Sequence, residues 1–389
     1  MARNFEALSA LLDQGVAEGR MPGAVALVAQ GGRIVHQQAS GWLDGPRSRA
    51  MPVDAHFWIA SMTKPVTTAA ALMLVEAGRL GLDDAVADHL PELRDLRLAD
   101  GRPPARPMTV RDLMRHTSGL AYGFMGEGPV HLAYRAAGVT DPGQTNEELV
   151  RKLARLPLLH EPGTVFEYSM STDVLGRVVE VCAGQALGDF LHARIFAPLG
   201  MARTGFEVPG AGAAAIARPF PHESFALAPP AHGARWLSGG GGLWSTAQDY
   251  VRFAQMLLDD GRWQGQQLLR PETVRAMRTD QLPAGVGYGA FTAGMGSIGP
   301  MPHNGRGFGL GLSLRLRDAP QAPPGHAGDF GWPGISGTNF WCDPAEGLVV
   351  LVLLQAPSQR LYYRDAARHA VYAGTLLAPP AALSAPPSA

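Results

Sequence analysis

Apolar and polar positions along the chain fall into two kinds of region. Toward both ends, short apolar runs bounded by turn residues predict strands. Gly23 to Gln30 and Arg33 to Gln37 flank Gly31-Gly32, a turn-forming pair, and read as a hairpin. Phe308 to Arg317, Asn339 to Asp343 and Leu348 to Gln355 are further strand candidates, the last two separated by a turn carrying Pro344 and Gly347. Helical spacing precedes the hairpin from Met1 to Leu8 onward, and follows the last strand over Leu361 to Leu377. This pattern predicts one mainly antiparallel sheet built from both chain ends, with the terminal helices packed on it.

The middle of the chain is patterned differently. Met62 to Ala77, Thr109 to Arg115, Asn146 to Leu156, Ser171 to Ala183 and Leu187 to Phe196 are helical by period and capping. Proline-rich stretches, Gly101 to Pro107 and Pro209 to Arg235, read as surface loops that frame a cleft. Ser245-Thr-Ala-Gln248 reads as a capping box opening a helix, and Ser238 to Gly242 before it as closely packed backbone near a site. The expected organisation is a discontinuous sheet domain (1–75 and 236–377), a mostly helical domain (76–235), and a disordered Ala- and Pro-rich tail (378–389).

Composition narrows the function classes. A chain of 389 residues with 46% hydrophobic content buries a substantial core. With 33 basic against 34 acidic residues, no long-range field gathers nucleic acid or an anionic membrane, so neither is an expected partner. Cys182 and Cys342 are far apart and lack CxxC spacing, which predicts two buried free thiols. No run of about 18 apolar residues and no signal-like h-region is visible, so the expected compartment is the cytoplasm. Basic charge comes from 31 arginines and only two lysines, Lys64 and Lys152. Arginine cannot release its proton near neutral pH, so a lysine kept among arginines is a candidate for proton chemistry.

The sharpest local signal is Ser61-Met62-Thr63-Lys64, a serine at the start of a predicted helix with a lysine one turn later on the same face. A neutral lysine there takes the hydroxyl proton and activates the oxygen. Alone the spacing is weak, because a helix N-cap serine and a surface lysine produce the same tetrapeptide. With 16 serines and two lysines, roughly 0.08 such pairs arise by chance, which favours the catalytic reading. None of the 16 serines lies in a Gly-x-Ser-x-Gly elbow, so a triad using His116 or His326 on an α/β-hydrolase fold is disfavoured. Neither HExxH nor a Walker-type loop occurs, and no metal or cofactor is expected.

Six segments in order carry a family resemblance: Phe57-Trp-Ile-Ala-Ser61-Met-Thr-Lys64, Leu113-Met-Arg-His-Thr-Ser-Gly-Leu120, Glu161-Pro-Gly-Thr164, Tyr168-Ser169-Met170, Pro198-Leu-Gly-Met201 and Ser238-Gly-Gly-Gly-Gly242. Over nearly the whole chain the sequence resembles the serine hydrolases with the class C β-lactamase fold, and within them the family VIII carboxylesterases. The resemblance implies an α/β (α+β) fold, a mainly antiparallel sheet flanked by helices plus a mostly helical part. It implies that Tyr168 shuttles protons with Lys64 as a phenolate base and then an acid, and leaves open which of the two takes the first proton. His116 falls in the family's structural His-Thr-Ser-Gly turn. Trp332-Pro333-Gly334 replaces the Lys-Thr-Gly box, with Trp332 and Gly334 beside the substrate. The backbone N–H groups of Ser61 and Ile335 are then the implied oxyanion hole. Pro333 departs from the pattern, removing a donor and stiffening a strand edge.

Three features favour esters over β-lactams or peptidoglycan peptides. Met170 stands where the Tyr-x-Asn box has its asparagine, giving substrate an apolar, adaptable contact. The cationic third box is absent, and with no signal peptide visible the chain is expected to stay away from the cell wall. The expected partner is a small-molecule ester. Acyl transfer or weak β-lactam or amide hydrolysis on the same site, and a non-catalytic module binding an acylated ligand, are the competing readings. Sequence leaves the oligomeric state open.

Overall fold

The computed structural model describes residues 4–45, 49–208, 215–223 and 228–379. β1 (Gly23–Gln30) and β2 (Arg33–Gly41) form the expected hairpin, turning through Gly31 and Gly32 at φ 55° and 76°. The C-terminal part supplies β3 (Arg306–Phe308), β4 (Ser313–Arg315), β5 (Phe330–Gly331), β6 (Asn339–Asp343) and β7 (Leu348–Leu354). These build a seven-stranded sheet in the order β2-β1-β7-β6-β5-β4-β3, with every neighbouring pair antiparallel. The strand expected over Phe308 to Arg317 is two short strands. The chain breaks at Gly311, whose φ is 74° and where a Cβ would stand 2.5 Å from Thr68 Oγ1.

Both sheet faces are covered, which is why β1 and β7 are apolar at successive positions. Ala24, Ala26 and Val28 of β1, with Val350 and Val352 of β7, pack against α1 (Glu6–Ala17) and the C-terminal helix Arg360–Ala373 through Leu8, Leu12, Tyr363 and Ala367. Val25, Leu27, Val349, Leu351 and Leu353 point the other way into a larger core shared with the middle of the chain. The C-terminal helix stops earlier than its apolar period suggested, at Gly374, a left-handed C-cap with φ 63°.

At the centre lies α2 (Thr63–Glu76), buried continuously from Thr63 to Leu74. α4 (Ser171–Ala183) packs along it, α3 (Val110–Met114) packs on α4, and α5 (Ala247–Leu258) lies against β1, β6 and β7. The cap of α5 is Thr246, whose Oγ1 accepts from the Asp249 N–H. Ser245, expected to open that capping box, instead bonds Thr204 across a buried contact of 2.7 Å.

One ion cluster ties the sheet to the C-terminal helix. Arg306, Arg315 and Arg368 converge on Asp329, all four buried. Burial opposes ionisation of Asp329, but the three guanidinium groups outweigh it and hold the carboxyl at about 2. Asp329 directly precedes β5, the strand that leads into Trp332.

Cys182 and Cys342 are both free and buried. Among the described residues no helix is long and apolar enough to cross a membrane. Residues 380–389 of the expected tail, and 209–214 and 224–227 of the long loop, lie outside the described residues.

Candidate active site

Ser61 is set by a strained turn. Phe57 and Trp58 pair with Ser245 and Trp244, and the chain then reverses through Ala60 at φ 45°, a region that side chains avoid. Ser61 occupies the single 3₁₀ turn Ala60–Met62 that runs into α2. The turn is held from outside: Trp58 Nε1 donates to Gly241 O at 2.7 Å, Ile59 N to Leu243 O at 3.1 Å, and Tyr250 Oη to Met62 O at 2.8 Å. Ser61 stays half-buried while Lys64, one turn on, is 1% exposed.

Nζ of Lys64 has three polar neighbours: Gly240 O at 2.6 Å, Tyr122 Oη at 3.1 Å and Ser61 Oγ at 3.4 Å. The Gly240 carbonyl only accepts, so it takes one N–H. Tyr122 passes its own proton toward Asp173 Oδ2 at 3.4 Å and so accepts a second N–H. Once the ammonium has given up one proton, these two contacts use both remaining hydrogens, and the lone pair faces Ser61 Oγ. Asp173 is fully buried and takes further hydrogen bonds from Ser238 Oγ at 2.5 Å and Gly240 N at 3.1 Å. Burial raises its carboxyl, with the Lys64 cation and these donors pulling the other way. Burial, then the Asp173 charge, pushes the Tyr122 phenol well up, so it remains a neutral phenol.

Tyr168 meets Lys64 through its ring face, with Nζ 4.5 Å from the ring centroid. Its hydroxyl accepts from Trp332 Nε1 at 3.2 Å. His116, at φ 56°, packs its ring 4.7 Å from that of Tyr168 and accepts from Ser169 N at 3.4 Å. Burial, reinforced by Lys64, drives its pKa well below the usual value, so the ring is neutral. His326 lies elsewhere, paired with Asp343 at 2.7 Å. With Asp343 and Glu346 it forms the group among the described residues spaced to share a metal ion, and Tyr372 Oη already donates to Asp343 there.

The segment after β5 is bolted to the Ser61 turn. Ser336 Oγ donates to Trp58 O at 2.9 Å, Thr338 Oγ1 to Ile59 O at 3.2 Å, and Gly334 N to Thr338 O at 2.7 Å. A Cβ on Gly334 would stand 2.2 Å from Thr338 Oγ1 and 2.6 Å from Ile59 O, so only glycine permits this approach. The sheet ladder ends at Gly331, and β5 lies between β6 and β4. Pro333 therefore sits beyond the ladder and stiffens no strand edge, contrary to expectation.

One cleft collects Ser61, Tyr168, Trp332, Gly334 and Ile335, closed by Met125, Phe291, Met295, Ile298 and Leu361, with Arg360 and Arg364 from the C-terminal helix. Met170, expected to touch substrate, is fully buried in the core at the N-cap of α4 and is not part of this lining. Its place at the helix cap turns the side chain inward.

Tyr122 and Asp173 escaped sequence reasoning. Asp173 reads as a helix-start residue by position, and Tyr122 follows the His-Thr-Ser-Gly turn without any spacing that links it to Lys64, 58 residues away.

The Beta-lactamase family model matches residues 8–373. Protein Rv1367c of Mycobacterium tuberculosis is 38% identical over 363 residues, covering 87% of this chain and 86% of that one. Esterase EstB of Burkholderia gladioli is 35% identical over 405 residues, covering 94% of each. The solved structure of EstCE1, described as a hydrolase with promiscuous acyltransferase activity, superposes with a TM-score of 0.79 at 32% identity, covering 94% of this chain and 98% of that one. The chain belongs to the Beta-lactamase family and is a serine hydrolase of the family VIII esterase kind.

Proposed function

We propose that the protein hydrolyses short-chain carboxylic esters through an acyl-enzyme on Ser61. The observation that carries this reading is the wiring of Lys64, whose hydrogens go to Gly240 O and Tyr122 Oη and whose third direction meets Ser61 Oγ. Lys64 takes the hydroxyl proton as Oγ attacks the ester carbonyl. The backbone N–H groups of Ser61 and Ile335 receive the developing oxyanion. The Lys64 and Tyr168 pair returns the proton to the departing alcohol, and water then releases the acid by the same route. Apolar walls at Met125, Phe291 and Ile298 suit a small acyl or alcohol group. The named activity of EstB supports the ester reading, and the description of EstCE1 supports a second one, transfer of the acyl group to an added alcohol.

Incubation with a serine-directed aryl phosphonate, followed by intact-mass analysis and peptide mapping, tests the proposal. One adduct on Ser61 with parallel loss of short-chain aryl ester hydrolysis is expected. An adduct on another residue, or hydrolysis that survives full labelling, overturns the assignment.

Gly334→Ala tests the oxyanion geometry. The added methyl displaces the segment bearing Ile335, and a shift near 1 Å lowers kcat about 100-fold. Steady-state kinetics on a folded variant, with KM little changed, is the check.

A further inference from the structure

The thiol of Cys182, near the C-terminal end of α4, lies 3.4 Å from Nδ1 of His89. His89 closes the short helix Val86–His89, and its Nε2 lies 3.0 Å from Asp84 Oδ2. Asp84 is ionised: the Gly81 N–H at 2.7 Å, and next His89, hold its carboxyl below the usual range. A carboxylate only accepts, so Nε2 carries a hydrogen, and the tautomer with that single ring proton turns the Nδ1 lone pair to the thiol. Thiol, base and orienting carboxylate thus stand in one hydrogen-bonded line, the arrangement that activates a nucleophile. None of the three lines the Ser61 cleft, and ester hydrolysis uses none of them.

We propose that Cys182 is a modification site, a nucleophilic thiol activated by His89 and oriented by Asp84, that reacts with peroxides and soft alkylating agents. Burial keeps the resting sulfur protonated, with the Arg79 charge only partly offsetting it, so His89 takes the proton as the sulfur attacks. With hydrogen peroxide, sulfur bonds one oxygen and the O–O bond breaks. The departing hydroxide collects the proton from His89 and leaves as water. Sulfur is oxidised by two electrons to a sulfenic acid, and the peroxide is reduced by two. The line opens to solvent: Cys182 is 9% exposed, and the side chains of His89 and Asp84 are 18% and 42% exposed. Cys342 is the internal contrast, fully buried with its Sγ donating to Ala254 O at 3.5 Å.

The test uses the whole protein with iodoacetamide as a kinetic probe, and hydrogen peroxide with dimedone to trap sulfenic acid. Peptide mapping locates each adduct. The expected result is one adduct per native chain, at Cys182, with Cys342 labelled only after unfolding. His89→Gln slows alkylation of Cys182 by about 10-fold or more, and Asp84→Asn slows it less, with far-UV circular dichroism unchanged in both. Equal rates in wild type and His89→Gln overturn the proposal, as does labelling of Cys342 as fast as Cys182 or no native labelling of Cys182. If His89→Gln does not fold, Asp84→Asn decides: an unchanged rate there overturns it. Cys182 is about 14 Å along α4 from Asp173, so the outcome is independent of the ester reading.

Discussion

Ser61→Ala is expected to lower kcat for a short-chain aryl ester by at least about 10⁴-fold, because the covalent route disappears with Oγ. The fold should be indifferent to the change. Ser61 is half-buried, its turn is held by Trp58, Ile59 and Met62 through groups other than Oγ, and Lys64 keeps Gly240 and Tyr122. Steady-state kinetics beside circular dichroism separates the two effects, and the phosphonate adduct must vanish as well. A folded Ser61→Ala protein that retains most of its turnover would show that another group is the nucleophile.

Lys64→Met should lower kcat by about 10³-fold, within the range of a lost general base, and should also lower stability. Methionine fills the same buried channel without any donor. The Gly240 carbonyl then loses its partner in a site closed to water, at about 1–3 kcal/mol, while Tyr122 keeps its bond to Asp173. Asp173 loses the cation that opposes its burial, so its carboxyl pKa rises further. Thermal denaturation should therefore show a lower Tm for Lys64→Met and none of comparable size for Ser61→Ala. The double variant should be no slower than Ser61→Ala alone, since both residues act in one step. Full additivity of the two losses would mean that Lys64 does not act through Ser61.

The elements legible in the pattern of residues are those whose cause is local. The β1–β2 hairpin follows from Gly31-Gly32 between apolar runs, β6 and β7 from apolar runs separated by a turn, and α4 from its helical period. The break between β3 and β4 is different in kind. Its cause is Thr68, on a helix more than 200 residues away, which leaves no room for a side chain at Gly311. Met170 misleads for a related reason: its place in the box is visible, but the direction of its side chain depends on the core that forms around the α4 cap.

By itself the sequence determined that Ser61 and Lys64 meet, because residues three apart on a helix are neighbours whatever surrounds them. It also determined that the two chain ends share one sheet, since apolar runs of that kind need partners on both faces. Tertiary structure alone decided where the hydrogens of Lys64 go. The Tyr122 hydroxyl and the Gly240 carbonyl come from positions 58 and 176 residues away, and only packing against buried α2 brings them to Nζ. A lysine becomes a directed base through the acceptors that occupy its other hydrogens, and no local spacing encodes which acceptors those are.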